Sequence, residues 1–228
     1  MSLSIVSWNI FANFDNLEKR TIAIGEKLAS LDADVILLQE VVPFTANVIL
    51  DKLGDGYYSL YRNVYENNNP SRCFGEMIIV KKNITVLEKR VVYFPTYDGR
   101  CATVAKLHDG KQTYVVGTVH LDGKPLKYPT ARFWRIRDSQ LETINSVLDS
   151  YGDFPIVFCG DFNFTENETL SDGYIDAWKH LGSPEEHRYT WSDSERYDRA
   201  YCKNIYPKIF KKGTRSDKSD HDYIWVVV

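Results

Sequence analysis

The stretch Pro155-Ile156-Val157-Phe158-Cys159-Gly160-Asp161-Phe162-Asn163 decides the fold, because an apolar strand ends here in two polar side chains. The apolar run 155–159 predicts a strand that is covered on both faces. Strand side chains repeat every second residue, so Asp161 and Asn163 are expected to leave the same side. A carboxylate beside an amide can hold a water molecule and an anionic oxygen together. Gly160 is also consistent with a plain turn, so the meaning of this stretch depends on how other strands end.

Other predicted strands also bring polar side chains to a strand end. They are rich in Ile, Val and aromatic residues, which is typical of buried strands. The pairs of strand and polar residue are Leu3–Ile10 with Asn9, Asp34–Val41 with Glu40, Gln112–Leu121 with His120, and Asp222–Val228 with the preceding Asp220 and His221. The polar groups therefore recur at strand ends along the whole chain.

Helical patterns separate these strands and determine the expected architecture. Apolar residues at helical spacing predict helices at Leu17–Leu31 and Pro129–Ser150, the second with an arginine cluster near its start. The order strand, helix, strand thus occurs twice. Two such units predict an α/β fold in which two sheets pack face to face, with helices outside and one shared rim of strand ends. We expect one domain, residues 1–228.

The remaining segments predict shorter elements. Helices are expected at Phe44–Leu53 and Tyr174–Leu181, and a hairpin turn at Asp109-Gly110. Strands are expected at Tyr57–Tyr61, Glu76–Lys81, Thr85–Phe94, Cys101–Leu107, Tyr189–Trp191, Tyr197–Cys202 and Tyr206–Phe210, and loops at Arg62–Gly75 and Lys211–Lys218.

Composition restricts the class of protein. Hydrophobic residues make up 43% of the 228 residues and aromatic residues 14%, which allows a large core and argues against disorder. The 28 basic and 31 acidic residues give a net charge of −3, so the chain lacks the basic excess of general nucleic-acid binders. Four dispersed cysteines, no secretion signal and no long apolar run predict an intracellular protein, nuclear or cytoplasmic, with no membrane contact.

The polar groups of the rim suit phosphoester chemistry. Glu40 and Asp220 offer the hard carboxylate oxygens that Mg²⁺ prefers. Asp161 is then available as the base that takes a proton from water, and Asn163 can orient that water or the phosphate. His221 can donate to a phosphate oxygen as negative charge develops there.

Three further residues have supporting roles in this hypothesis. Asp198 is placed in sequence to hold His221 in one tautomer, while His120 and Asn9 add donors. Each residue also has a structural alternative: Glu40 could cap a turn, Asp198 could pair with Arg199, and His120 could be a satisfied structural histidine. The shared position at strand ends is what favours a site.

Four motifs resemble those of the endonuclease/exonuclease/phosphatase superfamily. They are Ser-Trp-Asn at 7–9, Leu-Gln-Glu-Val at 38–41, Gly-Asp-Phe-Asn at 160–163 and Ser-Asp-His at 219–221. The resemblance implies a four-layer α/β sandwich of two mainly antiparallel mixed sheets flanked by helices. It also implies a phosphoesterase that uses Mg²⁺, for which Mn²⁺ can substitute. Glu40 and Asp220 would be the metal ligands, and Asn9, His120, Asp161, Asn163, Asp198 and His221 the catalytic residues.

Within the superfamily, the chain is similar to the second type of tyrosyl-DNA phosphodiesterases. The similarity lies in Asp-Ala-Trp at 176–178, Tyr-Thr-Trp at 189–191 and Tyr-Asp-Arg at 197–199. It implies hydrolysis of a 5′-phosphotyrosyl bond between DNA and a trapped topoisomerase tyrosine, with Trp191 and Arg137 binding substrate. Two positions depart from the family pattern: Thr165 stands where an arginine is common, and Gly123 where a serine is common.

The resulting expectation is a monomeric, Mg²⁺-dependent phosphodiesterase that acts on DNA 5′ ends with a protein or peptide adduct. Two alternatives stay open. One is another phosphoesterase of the superfamily, such as an abasic endonuclease, a deadenylase or a small-molecule phosphatase. The other is a catalytically silent module that binds phosphate for partner recognition.

Overall fold

The computed structural model describes residues 2–62, 74–124, 130–214 and 218–228, which form two β-sheets of six strands each. The first sheet has the strand order β11-β12-β1-β2-β4-β3 and the second β5-β6-β7-β8-β10-β9. The strands of the first sheet are β1 (Ser4–Asn9), β2 (Val35–Val41), β3 (Tyr57–Arg62), β4 (Gly75–Lys81), β11 (Ile209–Lys212) and β12 (Ile224–Val227). Those of the second are β5 (Thr85–Tyr93), β6 (Cys101–His108), β7 (Thr113–His120), β8 (Ile156–Asp161), β9 (Ile175–Asp176) and β10 (Asp198–Lys203).

Each sheet contains one parallel pair joined through a helix, as the repeated order strand, helix, strand predicted. Helix α1 (Leu17–Leu31) connects β1 to the parallel strand β2, and α3 (Ala131–Asp149) connects β7 to the parallel strand β8. The other pairs within the sheets are antiparallel. The remaining helices are α2 (Pro43–Leu53) and the short α4 (Ala177–His180).

Three apolar clusters confirm the predicted layers. One lies between the sheets and includes Ile5 and Leu37. On the opposite face of the same strands, Val6 and Ile36 pack against α1 and α2. A third cluster packs α3 against the outer face of the second sheet. Because successive strand residues point to opposite faces and both faces are covered, β1 and β2 are buried almost throughout.

Several predicted elements differ from the structure. Tyr174–Leu181 is not one helix, because Asp176 pairs with β10 as part of β9 and then caps α4 by accepting from Trp178 N. Tyr189–Trp191 is not a strand; Trp191 forms only isolated bridges to Glu195 and His221. Most of the predicted loop Arg62–Gly75 lies outside the described residues, and its ends belong to β3 and β4. The loop prediction for Lys211–Lys218 was wrong at 211–212, which belong to β11.

Helix α3 begins later than predicted, at Ala131, and buries one arginine of the predicted cluster. Its Thr130 cap accepts a hydrogen bond from Phe133 N, while Pro129 lies outside the described residues. The buried positions are Phe133, Arg137, Gln140, Ile144, Val147 and Leu148. None of the helices in the described ranges is long and apolar enough to cross a membrane.

Gly160 is required where β8 approaches β7. Its φ of 153° lies in the region that favours glycine, and an added Cβ would overlap the backbone oxygen of Val119. We expect Gly160→Ala to lower the free energy of unfolding by about 3 kcal/mol, measured by urea denaturation. Gly56→Ala is the control, because no atom lies within 4 Å of its added Cβ. Equal stability of the two variants would contradict this explanation.

Candidate functional site

A cleft of about 460 Å³ opens at the rim where the strand ends of both sheets meet. Seven of the sequence-predicted site residues line it: Glu40, His120, Asp161, Asn163, Trp191, Asp220 and His221. Asn9 and Asp198 are buried beneath these residues and bonded to them. The described structure therefore brings together all of the predicted site residues except Arg137.

Asn9 joins the two sheets at the base of the cleft. Its Nδ2 donates to Glu40 Oε1 at 3.2 Å and to Asp161 Oδ2 at 3.0 Å. Glu40 belongs to the first sheet and Asp161 to the second. One amide group therefore fixes the position of both carboxylates.

Glu40 is held in a left-handed backbone conformation. Its φ is 58°, and the register between β2 and β4 shifts between Leu38 and Val41. Such a conformation costs a residue with a side chain about 1–3 kcal/mol and is found where surrounding contacts enforce it. Here Ala12 N donates to Glu40 Oε2 at 2.8 Å. The bulge turns this carboxylate to the rim.

His120 is held as a neutral imidazole. Arg100 Nη1 lies 2.6 Å from His120 Nδ1, and since an arginine only donates, Nδ1 must accept. The remaining Nε2–H group then faces Asp161 Oδ2 at 3.3 Å. Burial lowers the pKa of His120 well below its usual value, and the charge of Arg100 lowers it further. His120 therefore places a neutral N–H group beside the central carboxylate.

His221 is held as an imidazolium. Burial lowers its pKa, but Asp198 and Asp161 outweigh burial and raise the pKa to about 10. The Nδ1 atom lies 2.7 Å from Asp198 Oδ2, and Nε2 lies 3.6 Å from Asp161 Oδ2. At neutral pH the ring carries a charge that faces the cleft.

Asp161 lies at the centre of these contacts. Burial raises the pKa of its carboxyl group, which the charge of His221 and the hydrogen bond from Asn9 oppose. A carboxylate with a raised pKa is a stronger base. The Asp161 position thus suits proton transfer from a water molecule.

Glu40 and Asp220 fit a hard divalent cation. Asp220 Oδ2 accepts from Trp191 Nε1 at 3.2 Å, while its buried Oδ1 has no hydrogen-bond partner among the described residues. Buried carboxylate oxygens without partners are costly unless another group binds them. Together with the Glu40 carboxylate in the same cleft, this atom offers the oxygen ligands that Mg²⁺ or Mn²⁺ prefers.

A tighter group is formed by Asp161, Asp198 and His221, whose ligand atoms all lie within 4.8 Å of one another. Within it, His221 Nδ1 and Asp198 Oδ2 already bind each other at 2.7 Å. A cation there would have to displace the His221 proton. The three residues of this group are thus engaged with one another, whereas the Asp220 Oδ1 atom beside Glu40 keeps no partner among the described residues.

Asn163 lines the cleft, but its position does not come from the strand alternation that was predicted. It lies beyond β8 in a left-handed conformation with φ of 49°, so the alternation of strand side chains does not apply. Asp161 Oδ1 accepts from Asn163 N at 2.9 Å, and Asn163 Nδ2 donates to Leu121 O. The turn that follows β8 therefore brings the amide to the cleft.

Arg137, expected to bind substrate, does not line the cleft. It is only 2% exposed, and its guanidinium group donates to the backbone oxygens of Asp122, Phe162 and Asn163. These residues flank His120 and Asp161. Arg137 thus supports the loops that carry the site.

We expect Arg137→Lys to lower the free energy of unfolding by about 2–4 kcal/mol, because it leaves buried carbonyl groups without donors. Urea denaturation checks this value. Arg135→Lys on the exposed face of α3 is the control and should change stability little. An unchanged midpoint for Arg137→Lys would mean that the three carbonyl groups find other donors.

The sequence interpretation missed Arg100, Asp98 and Tyr197, which also line the cleft. Arg100 comes directly before β6, and Tyr197 directly before β10. Both strands are antiparallel to their neighbours, so their first residues reach the same rim as the last residues of the parallel strands. A polar or aromatic residue directly before an antiparallel strand is the sequence feature that could have identified these cleft residues.

The chain is similar in sequence to a family of known proteins. Residues 6–221 match the sequence profile of the Endonuclease/Exonuclease/phosphatase family. The tyrosyl-DNA phosphodiesterase 2 of Gallus gallus is 27% identical over 225 residues, which cover 92% of this chain and 56% of that protein. That of Rattus norvegicus is 28% identical over 221 residues, covering 92% of this chain and 57% of that protein. The chain spans little more than half the length of these curated relatives.

A solved structure shares the fold. The crystal structure of Danio rerio TDP2 in complex with a single-strand DNA product matches with a TM-score of 0.83. The match covers 99% of this chain and 98% of that chain, at 24% sequence identity. The two packed sheets and their flanking helices are thus common to both.

Proposed function

Since the chain belongs to the Endonuclease/Exonuclease/phosphatase family, we propose that it hydrolyses the 5′-phosphotyrosyl bond between DNA and a trapped topoisomerase tyrosine or peptide, leaving a 5′ phosphate. The relatives named tyrosyl-DNA phosphodiesterase 2 support this substrate. We also propose that residues 1–228 act as one catalytic domain, as a monomer and inside the cell, in the nucleus or cytoplasm.

The observation that carries the proposal is the arrangement around Asp161. A buried carboxylate faces a neutral histidine on one side and an imidazolium on the other. A base beside a positively charged donor is what the displacement of a phosphoester requires. His120 and His221 provide these two protonation states in one cleft.

The proposed reaction is a direct attack by water on phosphorus. Asp161 accepts a proton from the water, whose oxygen forms a bond to phosphorus as the bond to the tyrosyl oxygen breaks. The His221 imidazolium donates a hydrogen bond to a non-bridging phosphate oxygen, while Asp198 holds its tautomer. The tyrosyl oxygen leaves as phenolate and takes up a proton from bulk water, and Asp161 releases its proton to bulk water.

The other site residues have positioning roles in this proposal. Asn9 and Asn163 orient Asp161 and the phosphate, and His120 places its Nε2–H group 3.3 Å from Asp161 Oδ2. Trp191, stacked on Tyr197 with ring centroids 5.3 Å apart, provides a face for a nucleobase on the DNA side. Glu40 and Asp220 would hold Mg²⁺, or Mn²⁺ in its place, which supplies charge neutralisation at the phosphate when bound.

Incubation with a 5′-tyrosyl oligonucleotide and Mg²⁺ tests the proposal. We expect release of tyrosine and a 5′-phosphorylated oligonucleotide, no turnover after chelation with EDTA, and a loss of about 10²-fold or more for Glu40→Ala. Glu142→Ala, an exposed change of the same kind on α3, should behave like the wild type. Cleavage of abasic DNA or an RNA tail without phosphotyrosyl cleavage would contradict the substrate assignment.

A second candidate function is suggested by two positions near the cleft. Thr165 donates to Glu168 through both its backbone N and its Oγ1. Its side chain carries no positive charge, unlike the arginine that is common at this position. Gly123 lies against the Asn163 side chain, so that an added Cβ would stand 3.4 Å from Asn163 Oδ1. Both differ from the pattern of the tyrosyl-DNA phosphodiesterases, which favours another phosphoester as substrate. A panel of abasic DNA, polyadenylated RNA and small phosphate esters separates the candidates.

The alternative that is not an enzyme is a catalytically silent module that binds phosphate. It requires that the wild type and the Glu40→Ala variant bind a phosphorylated ligand equally and turn over none of the panel. Any metal-dependent turnover that Glu40→Ala abolishes would exclude it.

A further inference from the structure

Arg20, on the first turn of α1, forms hydrogen bonds to two chain segments behind the cleft. Its guanidinium group donates only to backbone oxygens in the described structure, and a single side chain thus binds two separate loops. The acceptors are Ile10 O at 3.4 Å, Phe11 O at 3.0 Å, Asn13 O at 2.5 Å, Asp15 O at 3.1 Å and Lys218 O at 2.9 Å.

One of these loops bonds to Glu40 and the other contains Asp220, the two carboxylates proposed to hold the metal. The loop of residues 10–15 contains Ala12, whose backbone N fixes Glu40 Oε2 at 2.8 Å. The second loop, residues 218–221, contains Asp220 itself. Side-chain bonds to β1 also hold these loops: Ser219 Oγ donates to Asn9 O at 2.6 Å, Trp8 Nε1 donates to His221 O at 3.0 Å, and Asn9 Oδ1 accepts from Phe11 N at 3.0 Å. Arg20 therefore joins the supports of both carboxylates.

The first of these loops needs such support. Phe11 has a left-handed φ of 59°, which costs a residue with a side chain about 1–3 kcal/mol unless its surroundings enforce it. Arg20 binds the Phe11 carbonyl and lies over its ring, 5.3 Å from the centroid. The contact holds the backbone in the conformation that aims Ala12 N at Glu40.

The charge of Arg20 acts on the same carboxylates. Burial lowers the pKa of its guanidinium group, while the negative charges of Asp220, Asp15 and Glu40 oppose that change. Arg20 stands behind the cleft and does not line it. Its hydrogen bonds go to carbonyl groups, so both carboxylates keep oxygens for another cation.

We propose that Arg20 is a positioning residue for the metal site, which holds the loops 10–15 and 218–221 together so that Glu40 and Asp220 can bind one divalent cation. This role rests on the metal dependence in the proposed function. A lysine could not replace Arg20, because one ammonium group lacks the planar fork that reaches acceptors in two loops. Groups that orient metal ligands in this way commonly change metal affinity by about 10–100-fold.

Titration of the metal-free protein with Mn²⁺ or Mg²⁺ alone tests this role without substrate. We expect Arg20→Lys and Arg20→Gln to raise the dissociation constant by about 10-fold or more, whereas Lys19→Ala, an exposed change on the same turn, leaves it within about twofold. Circular dichroism in EDTA establishes that each variant is folded. Turnover at saturating Mg²⁺ should fall far less than the affinity, because Arg20 does not contact substrate.

Unchanged Mn²⁺ affinity in either folded variant would overturn the proposal, as would a wild type that binds neither cation. A loss of stability in EDTA with unchanged affinity would show a purely structural role and would also overturn it. A wild type that binds Mn²⁺ but leaves the 5′-tyrosyl oligonucleotide intact contradicts the substrate alone. The two proposals can thus fail separately.

Discussion

Replacement of Asp161 by Asn is expected to lower turnover of a 5′-tyrosyl oligonucleotide by about 10²-fold or more. The amide is close in size to the carboxylate but cannot accept a proton from water. The fold should persist, because burial already disfavours the Asp161 charge, as the raised pKa of this group indicates. Rates are compared at saturating Mg²⁺, with urea denaturation as the measure of folding.

The control for this variant is Asp172→Asn, the same chemical change in an exposed turn. It should retain wild-type turnover. If Asp161→Asn keeps more than about a tenth of the wild-type rate, another group must accept the proton, and the assignment of Asp161 as the base is wrong.

Replacement of Asp198 by Asn is expected to change both the rate and its pH dependence. Asp198 is the largest of the charges that raise the pKa of His221 to about 10. Without that charge the pKa falls, and at pH 8 a larger fraction of His221 is neutral and cannot stabilise the developing charge. We expect turnover at pH 8 to fall by about 10²-fold, and the alkaline limb of the rate profile to move to lower pH.

The same change has a consequence for stability. A group whose pKa is raised by folding stabilises the protein below its unfolded pKa of about 6.5, and that contribution disappears as pH rises through the folded pKa. The wild type should therefore lose this contribution as pH rises toward about 10, and the variant at lower pH. Asp138→Asn on α3 is the control. An unshifted rate profile for Asp198→Asn would show that Asp198 does not set the His221 charge.

The layers of the fold could be predicted because they depend on local patterns. The order strand, helix, strand implies a parallel pair with a crossover helix, and both pairs occur. The placing of Glu40 and Asn163 depends instead on left-handed residues at a bulge and after a strand. Such conformations are enforced by contacts that are distant in sequence, so the strand pattern could not show them.

The burial of Arg137 was not predicted, although the residue spacing in α3 indicates it. Phe133, Arg137, Gln140, Ile144 and Leu148 follow one another at helical spacing and form the buried stripe of α3. An arginine on such a stripe must find buried acceptors, and the three carbonyl groups supply them. The cluster with Arg132 and Arg135 suggested a charged surface, but only those two side chains are exposed, and Arg137 is buried on another face of α3.

The Asn9 bridge between the sheets also determines when during folding the site can form. Asn9 and Asp161 are 152 residues apart, and the contact of Trp8 Nε1 with His221 O spans 213 residues. Closing such long loops is slow, because the loss of chain entropy is offset only when many non-local contacts form together. A chain still leaving the ribosome can build β1, α1 and β2, yet it has no complete cleft until residue 221 has emerged. The complete cleft therefore forms last, when the two sheets dock.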